Sequence, residues 1–210
     1  MNRIMTAPFS HYLEALRIQR WDDHRYYHHS RINQALHLVS ALSFLVAYAY
    51  LFIDPVVSAL IAWLVSMTTR QAGHFFFEPK GFDAVNNATH EHKEEIKVGY
   101  NLRRKVVLLS ICAAIPVIAY WMPDYLTWAV PEAYEDTPVR MTAMAWLFLG
   151  VAGLLFRVMQ LWAQDGLMAG VAWALKIITD PFHDVKMYYR APFYLAKGQF
   201  LDPMDHVKSH

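Results

Sequence analysis

The chain has 210 residues, 56% of them hydrophobic and 15% aromatic, and a formal net charge of +1. The apolar residues come in blocks rather than interspersed, which points to a membrane class, and so small a net charge gives no reason to expect nucleic acid as a partner. The single cysteine, Cys112, excludes an internal disulfide framework and a cysteine-based zinc site; within an apolar run it reads as a buried structural thiol.

Residues 9–29 are polar, aromatic and basic, with apolar positions at Leu13, Leu16 and Ile18. This pattern predicts an interfacial helix leading into the membrane, with Trp21, Tyr26 and Tyr27 suited to the headgroup zone. The arm carries Arg3, Arg17, Arg20, Arg25 and Arg31 but no early apolar core with a cleavage site, so no signal peptide is expected. The first span is expected at 32–53, closed by the Asp54-Pro55 turn. The next run, from Val56 to Thr69, reaches spanning length only if it continues through Gln71 and His74 to Phe77, which gives a second span at 56–77. Polar groups at that depth are functional candidates. A charged segment follows to Lys105. The third span is expected at 106–122, with Pro116 as a tolerated kink, and the fourth at 141–163. The weaker apolar run from Leu167 to Ile178 and the aromatic tail after Asp180 are expected to lie along the interface or pack on the bundle, over 167–200. The expectation is therefore one all-α membrane domain, 1–210, with about four transmembrane helices and cytoplasmic interfacial helices.

Lys and Arg set orientation. The arm holds five, the 70–105 segment seven and the 123–140 loop one. With four spans the arm, that segment and the tail share the basic side, so both termini are expected to face the cytoplasm. All eleven histidines then fall on that side or just inside it: His11, His24, His28, His29, His37, His74, His90, His92, His183, His206 and His210. His37 and His74 are the informative pair, because they sit at the inner edges of two consecutive antiparallel spans.

Neutral imidazole is a common transition-metal ligand. On a helix His29, Asn33 and His37 share a face, but eight residues separate the two imidazoles by about 12 Å of rise. One shared metal therefore requires a bend or break near Ser30-Arg31; His24 with His28, or the adjacent His28-His29 pair, offers another chelating geometry. Gln71, His74 and Glu78 form one helical stripe, with Gln71 placed to orient His74. His90 and His92 cannot share a helix face and would bind together only from a turn. Iron in a facial or all-histidine site and zinc with an activated water both suit such donors. No phosphate-binding glycine loop, serine elbow or HExxH pair occurs.

Tyr27 through His37 (Tyr-His-His-Ser-Arg-Ile-Asn-Gln-Ala-Leu-His) and Gln71-Ala-Gly-His74-Phe-Phe-Phe-Glu78 resemble two motifs of one family. These are the small membrane 2-hydroxy-fatty-acid dioxygenases, named for a yeast member and long catalogued as a domain of unknown function. The resemblance covers the first half of the chain; Pro79-Lys-Gly-Phe-Asp stands where the family carries proline-alanine. It implies Fe(II)-dependent removal of one carbon from a 2-hydroxy fatty acid, as in fatty acid alpha-oxidation. Its implied site has His29, His37 and His74 as ligands, completed by His90 or His92. Asn33 and Gln71 stand beside them, and Arg31 or Arg70 meets the substrate carboxylate. Lipid bilayer, 2-hydroxy fatty acid and dioxygen are the implied partners, without nicotinamide, flavin or 2-oxoglutarate. A di-iron lipid hydroxylase or desaturase-like enzyme and a non-enzymatic membrane scaffold are the alternatives.

Overall fold

The computed structural model describes residues 6–97 and 101–205. Its elements are helical: α1 (Thr6–Tyr27), α2 (Arg31–Tyr50), α3 (residues 55–77), α4 (His90–Ile96), α5 (Leu102–Trp121), α6 (Pro138–Asp165), α7 (Leu167–Tyr188) and α8 (Ala191–Ala196). The described residues contain no strand, only two isolated bridges, Ser30 with Leu201 and Asp83 with Ala88. His206 and His210 lie outside the described residues.

Local chemistry sets where each helix begins. The Ser30 hydroxyl accepts from the Asn33 N–H at the start of α2, and Asp54 Oδ1 accepts from Val56 and Val57 ahead of α3, where Pro55 occupies the first turn. Asn101 and Thr137 cap α5 and α6 in the same way, by accepting from Arg104 and Arg140. Each cap satisfies a backbone donor that the first helical turn would otherwise leave open. Gly166, at φ 91°, ends α6 and turns the chain directly into α7.

Three helices are long and apolar enough to cross a membrane: Arg31–Tyr50, Arg103–Trp121 and Pro138–Asp165. They leave large apolar side chains facing outward, among them Val107, Val117, Leu155, Phe156 and Met159, a surface that fits lipid contact. The second expected span, 56–77, forms an unbroken helical run from Pro55, but its winding is mixed. An α turn (Pro55–Leu60) leads into π winding (Ile61–Met67), then α (Thr68–Ala72), then π again (Gly73–Phe77). For the 167–200 segment, packing on the bundle is what residues 167–188 show. Residues 167–188 are one helix with Pro181 inside it, packed against α1, α2 and α6. It is a structural wall of the bundle, and it buries Lys176, Asp180, Asp184 and Tyr188.

The apolar core lies between α5 and α6, where Cys112, Ile115, Ala119, Met141, Ala145 and Trp146 are buried together. The Trp146 indole N–H donates to the Cys112 carbonyl at 2.9 Å, and the Trp63 indole N–H donates to the Trp146 carbonyl at 3.1 Å. Polar groups at this depth thus find partners, as burial requires. Cys112 is a buried free thiol, as its apolar surroundings in sequence suggested.

The break between α1 and α2 matters most for function. The C-terminal segment after α8 crosses it: Arg31 N–H donates to Phe200 O at 2.9 Å and Asp202 N–H to His29 O at 2.8 Å. The Gln34 amide donates to both His28 O (2.7 Å) and Asp202 Oδ2 (2.9 Å), and Arg31 Nη1 pairs with the same carboxylate oxygen at 2.9 Å. Asp202→Asn is therefore expected to weaken this clasp by about 1–3 kcal/mol, since it leaves a largely buried guanidinium short of its anion. Thermal unfolding in detergent should register the loss, with Asp124→Asn in the exposed 123–140 loop as the unaffected control.

Candidate metal centre

Three imidazoles from three elements meet where α1 ends, where α2 runs past it and where α3 closes. His28 and His37 are fully buried and His74 is 7% exposed. Their ring centroids lie 4.3 Å (His28–His37), 4.8 Å (His37–His74) and 5.4 Å (His28–His74) apart, every pair edge-on. One ring nitrogen from each lies within 4.8 Å of the others, so the group can hold a metal ion.

The anchoring of the rings points the same way. His28 Nδ1 lies 2.9 Å from the Asp23 carbonyl, which can only accept, so Nδ1 carries the proton and Nε2 is left with its lone pair. His74 Nδ1 donates to Glu78 Oε2 at 2.8 Å, across the last turn of α3. His37 Nδ1 faces Asp184 Oδ2 at 3.6 Å. The Nδ1 atoms of His28 and His74 are held by acceptors, which frees their Nε2 atoms, and His28 Nε2 sits 3.2 Å from His37 Nε2 and 3.3 Å from His37 Nδ1. Two nitrogens held about 2.0–2.1 Å from one ion, at right-angle or tetrahedral spacing, stand about 2.9–3.4 Å apart. Without an ion or proton between them, two lone pairs at this separation repel. Burial, reinforced by the neighbouring His37, holds His28 well below its ordinary pKa, which keeps it in the neutral form that ligates.

Of the residues expected at the site, His37 and His74 are brought together, and His28 stands where His29 was expected. The physical reason is the break at 28–30: α1 stops at Tyr27, Ser30 is extended at φ −79° and ψ 127°, and α2 starts at Arg31. Residue 28 then folds back onto the α2 face that carries His37, while His29 points the other way. His29 Nε2 lies 2.5 Å from the Arg25 carbonyl and 3.5 Å from Asp83 Oδ2. His90 is half-buried at the start of α4 and His92 is exposed; neither joins the converging group. Asn33 is fully buried, one turn before His37, and its amide donates to Tyr27 O at 2.9 Å. The Oδ1 of Asn33 and the Oε1 of Gln71 are buried acceptors without a protein donor.

The two arginines separate. Arg70 Nη1 pairs with Asp184 Oδ2 at 2.9 Å and its Nη2 faces Asp180 Oδ2 at 3.7 Å. Arg31 lies over the Tyr194 ring at 4.2 Å and lines a cavity of about 220 Å³ with His24, Gln34, Tyr188, Arg190 and Asp202. Tyr188 forms the wall between this cavity and the triad. Its ring stacks on His28 at 5.4 Å, and its hydroxyl shares a hydrogen bond with His24 Nδ1 at 3.2 Å.

Asp184 and Tyr188 were not singled out from the sequence. A signal was present: Lys176, Asp180, Asp184 and Tyr188 repeat at four-residue spacing, one face of a helix. Pro181 interrupts that pattern with a residue that usually ends helices, and the segment reads instead as an aromatic tail. Compared with known protein families, curated proteins and solved structures, the chain matches none.

Proposed function

We propose that the chain is an integral membrane, non-haem Fe(II) dioxygenase that shortens 2-hydroxy fatty acids by one carbon. The observation that carries this reading is the buried triad of His28, His37 and His74 at the end of an apolar helix. Three neutral imidazoles with no thiolate among them suit Fe(II) or Zn(II), and leave positions open for outside ligands. When bound there, Fe(II) would supply the redox chemistry toward dioxygen together with positions for a hydroxyl and a carboxylate.

The chain's own residues divide the remaining work. His28, His37 and His74 hold the ion, and the acceptors on the Nδ1 atoms of His28 and His74 fix the tautomer that ligates. Asn33 Oδ1 and Gln71 Oε1, both lacking a protein donor, are acceptors for the substrate hydroxyl. Arg31 and Arg70 are the two cations for the substrate carboxylate, each already paired at 2.9 Å with a protein carboxylate, Asp202 and Asp184. The acyl chain would lie along the apolar helix faces, with α3 as the fourth crossing and both termini on the cytoplasmic side. The reaction balances without an added reductant: hydroxy acid plus dioxygen gives the acid one carbon shorter, carbon dioxide and water. The absence of any nucleotide-binding motif is in keeping with that balance.

The test is to load the purified chain with Fe(II) under anaerobic conditions, then add 2-hydroxyhexadecanoate and dioxygen. The expected products are pentadecanoate and carbon dioxide, with one dioxygen consumed per acid; no product from iron-loaded protein would overturn the reading. Zinc with an activated water is the second reading for the same donors, and hydrolysis of an ester probe by Zn(II)-loaded chain, with no product from the Fe(II) and dioxygen assay, would select it. A di-iron enzyme finds less support, because the described residues hold one converging group of three.

A further inference from the structure

Buried ion pairs are a poor source of stability, because desolvating each charge costs several kcal/mol that an apolar pair would not. The chain nevertheless buries a run of them on α7, beside the triad. Lys176 Nζ lies 2.6 Å from Asp180 Oδ2 and 3.2 Å from Asp23 Oδ2, and Arg20 Nε lies 3.3 Å from Asp180 Oδ1. Arg70 from α3 enters the same run between Asp180 and Asp184. Only its last carboxylate reaches the triad: Asp184 Oδ2 is shared between Arg70 Nη1 at 2.9 Å and His37 Nδ1 at 3.6 Å, and Asp184 Oδ1 faces His183 at 3.9 Å.

We infer that Asp184 is the positioning residue of the metal centre, a carboxylate from α7 that orients the His37 ring and strengthens it as a ligand, with Arg70 fixing the carboxylate in turn. The geometry completes a pattern. His74 has Glu78 and His28 has the Asp23 carbonyl; the carboxylate that faces His37 Nδ1, at 3.6 Å, comes from a different helix, 147 residues away in sequence. A ring held by a carboxylate keeps one tautomer and gains basicity at the other nitrogen. The same α7 face also steadies the His28 anchor, since Lys176 pairs with the side chain of Asp23, whose carbonyl holds His28. The inference rests on the metal reading of the triad and is independent of which metal or substrate is used in the cell.

Cobalt(II) titration of the full chain in detergent micelles tests it, because the visible bands of Co(II) report ligand geometry directly. Asp184→Asn is expected to weaken Co(II) binding about 10–100-fold and to displace those bands. Asp180→Asn removes a neighbouring partner of Arg70 without touching an imidazole, and is expected to keep the wild-type affinity and spectrum. Asp184→Glu keeps the charge and is expected to retain most of the affinity with a smaller displacement of the bands. Equal losses in Asp184→Asn and Asp180→Asn would overturn the proposal, since both then act through the fold. So would an unchanged spectrum in Asp184→Asn, or in Asp184→Glu if the asparagine variant fails to fold. Wild-type chain that takes up no Co(II) would remove the metal reading itself, and the inference with it. Wild-type chain that binds Co(II) but turns over no hydroxy acid with Fe(II) would refute the dioxygenase reading alone.

Discussion

His28→Ala is expected to abolish metal uptake, while His29→Ala is expected to leave it intact. The two residues are adjacent and chemically identical, and both precede the start of α2. A helix running unbroken through Ser30 would carry His29 on the face of Asn33 and His37. The observed break reverses that assignment. His28 is fully buried, with Nε2 at 3.2 Å from His37 Nε2, whereas His29 turns to the Arg25 carbonyl and Asp83. Removing one of three ligands should cost more than removing a ligand's hydrogen-bond partner, hence about 100-fold or more in affinity. Metal content after desalting, measured alongside helical circular dichroism, separates ligand loss from misfolding. Equal retention in both variants would show that His28 does not ligate.

Gly73→Ala is expected to be nearly as severe, for a steric reason. A Cβ on residue 73 would lie 2.1 Å from Asn33 Oδ1, 3.1 Å from Asn33 Cγ and 3.5 Å from His37 Cδ2. Asn33 cannot retreat, because it is fully buried and its amide is tied to Tyr27 O. The collision must therefore push α3 away from α2, and His74 moves with it. Overpacking of this kind typically costs about 1–3 kcal/mol, and a sub-ångström shift of one ligand is enough to degrade a metal site. Gly150→Ala on α6, where a Cβ meets nothing within 4 Å, is the matched control. Thermal unfolding and metal content should both fall for Gly73→Ala and neither for Gly150→Ala.

Much of this architecture is legible in the amino-acid order. The apolar blocks give the three membrane-length helices, and the Asp54-Pro55 turn separates α2 from α3. Antiparallel hydropathy alone brings His37 and His74 to one depth. The choice between His28 and His29 is not legible, because it depends on a cap at Ser30 that is reinforced by backbone bonds from Phe200 and Asp202, about 170 residues away. A four-residue periodicity assumes a continuous helix and groups His29 with Asn33 and His37, and it is the family resemblance that makes His29 the ligand. The π winding at Gly73–Phe77 is likewise hidden, although such turns often accompany functional sites. Asp184 lay in plain spacing but behind Pro181, where a helix ordinarily stops.

A single metal ion held by His28, His37 and His74 is tested by metal quantification per chain combined with a count of coordinated imidazole nitrogens by pulsed electron paramagnetic resonance on Cu(II)-loaded protein. The expected result is one ion per chain with three imidazoles, falling to none when all three histidines are replaced. Two ions per chain, or undiminished binding in that triple variant, would contradict it.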